Sequence, residues 1–490
     1  MSSFTHYALR NTHYASCGER MHKPDIPENA HIHMVGIGGA GVSALAIVMA
    51  QMGYRVSGSD LRPDAAAERL KPLGVTVFAG HNGAHVSGAD LVVASAAVPD
   101  DNPEMVAARA EGIPVWSRAR MLGRLMSGNV GVAVAGTHGK TTTTAMLAAV
   151  LEAAGLDPTV LIGGDLDLLN GNAKLGHSAL FVTEACEAFD SFLELAPRIA
   201  IVTNIEADHL DYHGSLAGVV GSFRKFLSRI EANGCAVMCI DCPNVRAIIP
   251  EVDRRVVAYG SAAADEDADC RARDVDTATP QPSFQAVLRG RDLGRFSLRV
   301  PGIHNVRNAL AAIAVACELG ADPEAVRDAL AGFRGAGRRF EILGTAAGIT
   351  VVDDYAHHPT EIRATLAAAR TWGRRIVAVF QPHLYSRTQL LARDFAESLK
   401  QADAALLTEI YAAREKPVPG VSAAMIADLI NSDEPGKARF IAEKELLPDE
   451  LIPILRPGDM VIVMGAGDIR SAAEALLARL AQPEVRAGEG

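Results

Sequence analysis

Short apolar runs alternate with longer amphipathic stretches along most of the chain, and glycine or polar residues close most of the runs. Runs of this length predict buried strands, whereas apolar residues that recur every three or four positions predict helices. The first block predicts a helix over 42–52 and strands at 31–36, 54–60, 75–78, 91–94 and around Val115. Strands that alternate with helices predict a parallel sheet covered by helices.

The same alternation continues in two further blocks. The predicted strands lie at 130–135, 180–183, 199–203, 236–240, 349–353, 376–380, 404–407 and 460–464. The predicted helices lie at 142–154, within 301–320, at 360–370, at 388–400 and after Gly467. Residues 262–282 are acidic, rich in alanine and broken by proline, so they predict a surface excursion. The pattern predicts an α/β protein of three domains, at 31–126, 127–337 and 338–490, after a flexible leader at 1–30.

Composition narrows the function classes. The chain has 490 residues, 49% hydrophobic and 21% charged, which suits about three folded domains. Its net charge of −11 argues against nucleic-acid binding, and its apolar runs are shorter than a membrane span. Residues 1–30 lack the apolar core of a signal peptide, and the seven scattered cysteines predict reduced thiols. We expect a cytoplasmic monomer or homodimer with small-molecule partners, and neither nucleic acid nor a membrane among them.

Three cysteines lie close together in the sequence, at Cys235, Cys239 and Cys242. Such spacing could supply ligands for a metal cluster, but no fourth ligand is evident. We interpret 236–240 as a buried strand instead.

One predicted strand is joined to a predicted helix by the segment Gly136-Thr137-His138-Gly139-Lys140-Thr141-Thr142. Glycines allow backbone N–H groups to turn toward phosphate oxygens at a helix N-terminus. Lys140 adds a charge for the outer phosphates, and Thr141 offers a hydroxyl to Mg²⁺. The spacing is G-x-x-G-K-T, two residues tighter than the common phosphate-binding loop, because Val134 stands where that pattern has glycine. We predict a nucleoside triphosphate site, against the alternative of a simple glycine-rich turn.

A second glycine-rich turn follows the first predicted strand and reads Gly36-Ile37-Gly38-Gly39-Ala40-Gly41. Asp60 lies about 20 residues farther on, where dinucleotide folds place an acid beside a ribose hydroxyl. The turn predicts a Rossmann-like nucleotide domain, although turns of this kind bind many different phosphates.

Ionisable side chains follow two strands of the second block. Glu184 and Glu187 stand where a phosphate site needs Mg²⁺ ligands, or they are a surface pair of acids. A denser group crowds the turn after the next strand: Asn204, Glu206, Asp208 and His209. A histidine in such company is a candidate for contact with metal or substrate.

Two further pairs are candidates for nucleotide contacts. Asn305 and Asn308 share a helix face and could read a base edge, or they could be an N-cap and a surface residue. Arg338 and Arg339 follow two glycines at the start of the third block. They could swing onto a phosphate when domains close, or they could belong to a solvated basic linker.

The third block carries ionisable residues after two successive strands, in the segments Asp353-Asp354-Tyr355-Ala356-His357-His358-Pro359 and Gln381-Pro382-His383-Leu384-Tyr385-Ser386-Arg387-Thr388. Parallel α/β sheets bind ligands at the carboxyl ends of their strands, so these segments predict a ligand site. The histidine pair could also cap a helix.

In their order along the chain, these motifs resemble those of the Mur ligases, from about His31 to near the C-terminus. The matching segments are 36–41, 57–60, 136–142, 184–187, 203–211, 304–308, 337–340, 353–359 and 381–388. The resemblance implies a UDP-binding N-terminal domain, a central ATPase domain and a Rossmann-like C-terminal domain. It also implies an ATP-dependent amide ligase of peptidoglycan synthesis, closest to the members that join L-alanine to UDP-N-acetylmuramate.

The resemblance further implies a role for individual residues. The implied UDP-sugar contacts are Gly36, Gly38, Gly39, Gly41, Asp60, His81 and Ser95. The implied ATP contacts are residues 136–142, Asn305, Asn308, Arg338 and Asp354, and the implied Mg²⁺ ligands are Thr141, Glu184 and His209. The implied amino-acid contacts are Tyr355, His383 and Arg387, and the implied catalytic residues are Lys140, His209, Arg338, Arg339 and His357.

In the implied reaction, the muramate carboxylate takes the γ-phosphate of ATP, and an amine attacks the resulting acyl phosphate. Two Mg²⁺ ions, Lys140 and one of Arg338 and Arg339 would screen the repulsion between the two anions. His209 or His357 would take the amine proton. Closure of the third domain would exclude water from the acyl phosphate.

Two positions depart from patterns within the family. Cys186 stands where the commoner pattern has aspartate, although Glu184 and Glu187 on either side remain. Sister ligases carry a carbamylated lysine after the Asp-His motif. The matching place here falls near Phe223, as in the members that use L-alanine, so we do not assign that role to Lys225.

Three other functions stay open. A recycling ligase that joins a whole tripeptide to the same UDP-sugar shares the phosphate loop, but the segment 381–387 fits the L-alanine members better. An NAD-dependent oxidoreductase is supported by the turn 36–41 alone and leaves Lys140 unexplained. A UDP-sugar sensor without catalysis predicts the loss of Lys140, Glu184 or His209, and all three are present.

Overall fold

The structure is a computed structural model, and it describes residues 20–261, 267–413 and 415–482. Three separate β-sheets follow one another along the chain, and most neighbouring strands in them are parallel. This architecture confirms the predicted α/β class. Across the described residues, no helix combines the length and the apolar character needed to cross a membrane.

The first sheet is five-stranded and wholly parallel. Its strands are β1 (His31–Val35), β2 (Arg55–Asp60), β3 (Thr76–Ala79), β4 (Leu91–Ala94) and β5 (Val115–Ser117). The helices of this domain are α1 (Ala40–Gln51), α2 (Asp64–Leu70), α3 (Pro103–Ala110) and α4 (Arg118–Met126). The spatial order β3-β2-β1-β4-β5 places the crevice for a ligand between β1 and β4, beside the glycine-rich turn.

The central sheet has ten strands. They are β6 (Val130–Ala135), β7 (Thr159–Leu166), β8 (Gly171–Lys174), β9 (Leu180–Glu184), β10 (Ile199–Val202), β11 (Cys235–Cys239), β12 (Arg255–Gly260), β13 (Cys270–Asp276), β14 (Ser283–Leu288) and β15 (Arg291–Ser297). Its helices are α5 (Lys140–Ala153), α6 (Leu210–His213), α7 (Leu216–Ser228), α8 (Pro243–Ile248), α9 (Ile303–Glu318) and α10 (Pro323–Gly332). The order is β15-β14-β13-β12-β11-β10-β6-β9-β7-β8, with antiparallel pairs only toward its two edges.

The third sheet has six strands in the order β16-β17-β21-β18-β19-β20. The strands are β16 (Glu341–Ala346), β17 (Ile349–Asp354), β18 (Ile376–Phe380), β19 (Ala404–Leu407), β20 (Ala438–Phe440) and β21 (Met460–Met464). The helices are α11 (Pro359–Arg370), α12 (Tyr385–Leu399), α13 (Ala424–Asp433), α14 (Leu447–Leu451) and α15 (Arg470–Leu480). Only β16 runs antiparallel to its neighbour.

The central sheet is packed on both faces. On one face, α5 and α9 form a continuous apolar core with the strands. On the other face, the core continues into the first domain, where α1 packs against β7 and β8. Asn172 Nδ2 also donates to the Ala40 carbonyl at 2.7 Å. The first domain is therefore fixed on the central one through a shared apolar core.

The predicted surface excursion over 262–282 is wrong for much of its length. Residues 262–266 lie outside the described residues, but β13 pairs with β12 on one side and with β14 on the other. Cys270 and Ala272 are fully buried in the core beneath it. In this strand Arg271 and Arg273 alternate with the buried Cys270 and Ala272, and the acidic, proline-containing composition of the whole segment hid that alternation.

The flexible leader predicted at 1–30 is also wrong for the part that the structure describes. Residues 1–19 lie outside the residues that the structure describes. From residue 20 onward the chain is held: Met21 N–H donates to the His177 carbonyl at 3.2 Å, and His22 N–H donates to Asn129 Oδ1 at 2.9 Å. Met21 and Ile26 pack against the apolar core shared by the first two domains.

Candidate active site

The phosphate loop joins β6 to α5, which begins at Lys140, two residues before its predicted start. Gly139 has a φ of 83°, and a Cβ at this position would lie 2.8 Å from Asn308 Oδ1, so glycine is required. His138 N–H donates to Asn204 Oδ1 at 2.8 Å, which ties the loop to the end of β10. The first N–H groups of α5 have no acceptor within the helix, and such groups bind phosphate.

Lys140 is held in the loop by three partners. Its Nζ donates to the carbonyls of Gly136 at 2.5 Å and Thr137 at 3.1 Å, and it lies 2.9 Å from a Glu187 carboxylate oxygen. Burial on its own would lower the pKa of Lys140, but the charge of Glu187 outweighs it and the pKa is raised. The amine therefore stays a cation at the place where the outer phosphates are expected.

A cleft of about 900 Å³ beside the loop gathers the predicted Mg²⁺ ligands, Thr141, Glu184 and His209, with Lys140. Glu184 Oε1 accepts from the Gly163 N–H at 2.6 Å, so its second oxygen stays available. Hydroxyl and carboxylate oxygens are the ligands that Mg²⁺ prefers, so Thr141 and Glu184 fit the ion, whereas the imidazole of His209 is a less usual ligand for it. The assignment of these ligands stays a prediction.

A second cavity, of about 460 Å³, lies on the other side of the phosphate loop and is lined by Asn305, Asn308 and Asp354. Asn305 Nδ2 donates to the Pro301 carbonyl at 2.8 Å, and Asn308 Nδ2 donates to Asn305 Oδ1 at 3.1 Å. Both amides are buried, and the N-cap of α9 is Gly302, so the alternative of a cap and a surface residue is excluded. Their contact with adenine stays a prediction.

Asp354 contributes to the same cavity from the end of β17. Its carboxylate accepts the N–H groups of Phe340 at 2.8 Å and Ala356 at 2.7 Å. Burial raises the pKa of Asp354 to about 6, against the opposing charge of Arg339. The Asp354 side chain thus stabilises the start of the third domain and also lines the cavity predicted to hold the nucleotide.

The two arginines at the domain boundary have different surroundings. Arg338 donates through Nε to Asp353 at 3.1 Å and through Nη1 and Nη2 to the carbonyls of Gly467 and Gly465 at 3.1 and 2.7 Å. These bonds anchor Arg338 within the third domain, which argues against the predicted swing onto a phosphate. Arg339 instead faces the phosphate loop, with Nη2 3.5 Å from Thr141 Oγ1.

The predicted amino-acid contacts form one cluster at the edge of the third sheet. The rings of Tyr355 and His357 have centroids 5.4 Å apart, and those of His357 and His383 are 5.8 Å apart. His357 Nδ1 lies 2.9 Å from the Tyr355 carbonyl, and burial lowers the pKa of His357. Arg387 Nη1 lies 3.3 Å from His383 Nδ1. These side chains line the same cleft as Lys140.

Contacts between the central and third domains close this cleft. Arg387 Nη2 lies 2.9 Å from Asp208 Oδ1, and both side chains are largely buried. Burial on its own would raise the pKa of Asp208, but the charge of Arg387 outweighs it and holds the pKa well below its usual range. His138 Nδ1 lies 3.2 Å from Glu361 Oε1 in the third domain. The sequence analysis missed Glu361, although a glutamate three residues after a helix N-cap is a known local signal.

In the first domain, Asp60 holds the glycine-rich turn. Its Oδ2 accepts the Gly38 N–H at 2.9 Å, and a Cβ on Gly38 would lie 2.8 Å from that carboxylate. Ser95 directly follows β4, and its Cβ lies 3.2 Å from the position that a Cβ on Gly36 would occupy. The turn, Asp60 and Ser95 therefore meet around the crevice between β1 and β4, and their contacts with a UDP-sugar stay predictions.

The structure adds a second residue that the sequence analysis missed, this one in the first domain. Glu104, near the start of α3, is fully buried, and its carboxylate accepts from Ser59 Oγ at 2.5 Å. It also lies 3.1 Å from His81 Nδ1 and 2.6 Å from His85 Nδ1. Burial would raise the pKa of Glu104, but contacts with His33, Ser59 and His85 lower it to about 2. The Glu104 carboxylate holds His81 in place, and the two residues come together only in the folded domain.

The fold and the cleft define a class: three-domain α/β enzymes in which a third domain covers a nucleotide loop in the central one. Models of this family match most of the chain. The description "Mur ligase family, catalytic domain" matches residues 31–129, "Mur ligase middle domain" matches 134–316, and "Mur ligase, glutamate ligase domain" matches 338–467. The chain belongs to the Mur ligase family.

Individual relatives agree with this assignment. A protein named UDP-N-acetylmuramate–L-alanine ligase, from Sorangium cellulosum, is 47% identical over 454 residues, which cover 92% of this chain and 96% of that protein. The crystal structure of a UDP-N-acetylmuramate-alanine ligase from Thermotoga maritima is similar with a TM-score of 0.77 and 33% identity, covering 92% and 98% of the two chains. A murein peptide ligase from Psychrobacter arcticus has a TM-score of 0.70 and 27% identity, covering 92% and 99%.

Proposed function

We propose that this protein joins L-alanine to the carboxylate of UDP-N-acetylmuramate, with ATP converted to ADP and phosphate, in peptidoglycan synthesis. One observation carries the proposal: a single cleft is lined by Lys140 and Glu184 from the central domain and by His383 and Arg387 from the third. The residues that we assign to the phosphates of ATP and those that we assign to the amine thus line one cleft. The names of the relatives supply the identity of the two substrates.

In the first half-reaction, this chain holds two anions together. Lys140 and the N-terminus of α5 bind the outer phosphates of ATP, and Arg339 faces them from the third domain. Thr141 and Glu184 would hold Mg²⁺, which would neutralise charge on the phosphates. The muramate carboxylate then attacks the γ-phosphorus, ADP leaves, and an acyl phosphate results.

In the second half-reaction, His357 is the group best placed to take the proton of the attacking amine. Its pKa is lowered by burial, so the imidazole is neutral and can act as a base. Its Nδ1 is directed at the Tyr355 carbonyl, which leaves Nε2 with a free lone pair. The amine attacks the acyl carbon, and phosphate leaves from the tetrahedral intermediate.

The contacts between the central and third domains keep water away from the acyl phosphate. The Asp208–Arg387 pair and the His138–Glu361 pair both line the cleft and join the two domains there. An acyl phosphate open to solvent would be hydrolysed, so closure protects the intermediate.

The test is phosphate release by the purified protein with ATP, Mg²⁺ and UDP-N-acetylmuramate, with either L-alanine or the tripeptide as the amine. We expect release with L-alanine and little with the tripeptide. Release with the tripeptide alone would assign the protein to the recycling branch. Release with neither amine would favour a UDP-sugar sensor.

Glu104→Gln is expected to raise the KM for UDP-N-acetylmuramate about tenfold and to leave kcat unchanged, because the amide cannot hold His81 as the carboxylate does. Steady-state kinetics at saturating ATP and L-alanine measure both constants. The matched control is Glu111→Gln, an exposed residue at the end of α3, which should change neither constant. A fall in kcat with an unchanged KM would contradict the positioning role.

A further inference from the structure

Three side chains meet where the phosphate loop touches the third domain. They are His138 in the loop, Glu206 after β10, and His358 at the N-cap of α11. Each offers one ligand atom, and these atoms all lie within 4.8 Å of one another. None of them belongs to the predicted Mg²⁺ ligands at Thr141, Glu184 and His209.

His138 is oriented as a metal ligand usually is. Its Nδ1 lies 3.2 Å from Glu361 Oε1, and a carboxylate at this position fixes the ring and its tautomer. Its Nε2 is buried and has no hydrogen-bond partner among the residues that the structure describes. Glu206 Oε2 is 3.5 Å from that nitrogen, too long for a good hydrogen bond. A buried nitrogen that faces a carboxylate across this gap is suited to a shared cation.

The other two side chains are suited to the same cation. Glu206 Oε2 accepts from Thr360 Oγ1 at 2.6 Å, which fixes the carboxylate next to the histidines. His358 Nδ1 faces the Thr360 N–H at 3.4 Å, so this nitrogen carries the lone pair of the ring, and a metal would bind there in place of that long hydrogen bond. The His358 ring lies 4.9 Å from the His138 ring, centroid to centroid.

The surroundings already attract positive charge. His138 lies between two carboxylates, with Nδ1 3.2 Å from Glu361 Oε1 and Nε2 3.5 Å from Glu206 Oε2. With both rings neutral, the two carboxylates carry a charge of −2, and Arg339, whose Nη1 lies 4.0 Å from Glu361 Oε1, reduces it to −1. The cluster therefore keeps a net negative charge, which favours a cation.

We infer that His138, Glu206 and His358 form a binding site for a borderline transition-metal cation such as Zn²⁺ or Co²⁺, separate from the Mg²⁺ site. Two imidazoles and a carboxylate are a ligand set that Zn²⁺ accepts, whereas Mg²⁺ prefers oxygen ligands and keeps its water. His138 and Glu206 belong to the central domain and His358 to the third, so an ion bound here joins the two domains. Its binding therefore favours the closed arrangement.

Co²⁺ titration in the absence of nucleotide tests the inference, because Co²⁺ with imidazole ligands in a distorted site absorbs visible light far more strongly than the hydrated ion. We expect a band that saturates, that Zn²⁺ abolishes and that excess Mg²⁺ leaves in place. His358→Asn should weaken Co²⁺ binding at least about tenfold. Mutating a group that only hydrogen-bonds to a metal ligand can already reduce affinity by that much, and this change removes a ligand itself. Asparagine still caps a helix, so the fold is preserved.

Two further variants keep the test decisive. Glu206→Gln should weaken the same band, and it does so without touching the cap of α11. His177→Asn makes the matched substitution at a histidine whose side chain is 94% exposed, and it should leave the band unchanged. Equal Co²⁺ binding in the wild-type protein and both ligand variants would overturn the inference.

Small-angle scattering supplies a second readout that does not depend on activity. Zn²⁺ should lower the radius of gyration of the wild-type protein and should not lower that of His358→Asn. A decrease of equal size in both proteins would show that the ion acts elsewhere. This result is independent of the proposed ligase reaction, because neither ATP nor a substrate is present.

Discussion

Lys140→Ala is expected to lower the rate of phosphate release at least about 1,000-fold, because the buried cation expected to stabilise the outer phosphates in the transition state is lost. The affinity for UDP-N-acetylmuramate should stay within about twofold, since most of its expected contacts are those of the UDP part with the first domain. Phosphate release measures the first effect, and equilibrium binding of the UDP-sugar measures the second.

The matched control is Lys225→Ala, an exposed lysine on α7 two residues after the fully buried Phe223. It should keep wild-type turnover, because the sequence does not assign it the carbamylated position of the sister ligases. Substantial turnover in Lys140→Ala would contradict the assignment of the ATP site. A loss of turnover in Lys225→Ala would reopen the question of a carbamylated lysine.

Arg387→Met is expected to lower kcat at least about 100-fold and to raise the KM for L-alanine, because it strands the buried charge of Asp208 between two domains. Removing one partner of a buried ion pair costs about 3–5 kcal/mol, and here the cost falls on the closed arrangement. Steady-state kinetics measure the activity, and small-angle scattering with ATP analogue and UDP-sugar measures closure. Arg393→Met, an exposed position on α12, is the matched control.

The double variant Asp208→Asn with Arg387→Met separates closure from amino-acid binding. With the stranded charge removed, the radius of gyration should return toward the wild-type value. The KM for L-alanine should stay high, because the guanidinium beside His383 is still absent. If closure were as poor in the double variant as in Arg387→Met, the pair would not be what holds the domains together.

The alternation of strands and helices could be predicted from the sequence, because it depends on the short-range periodicity of apolar residues. The strand at 130–135 and the loop after it are local, and the structure has β6 at Val130–Ala135. The misread segment 262–282 and the hairpin strands at the edges of the central sheet lack long apolar runs. An edge strand buries only one face or none, so its sequence carries a weaker signal.

The candidate site divides in the same way. The two glycine-rich turns and the ionisable residues at strand ends were found, because parallel sheets place ligands at those ends. The sequence could not predict that Arg338 is anchored within the third domain while Arg339 faces the phosphate loop. The two residues are adjacent and have the same side chain, so only the folded structure distinguishes their contacts. Glu104 was missed because its partners come from β2 and from the loop after β3.

The sequence by itself determined the α/β class, the order of its three blocks, the phosphate loop and the strand ends at which ligands are expected. These features depend on spacings of a few residues, on the apolar period and on the conformational freedom of glycine. Tertiary structure alone decided which groups face one another across the cleft. Asp208 and Arg387 are 179 residues apart, and His138 and Glu361 are 223 apart. No local pattern encodes such pairs, because they form only when separately folded domains pack together and exclude water between them.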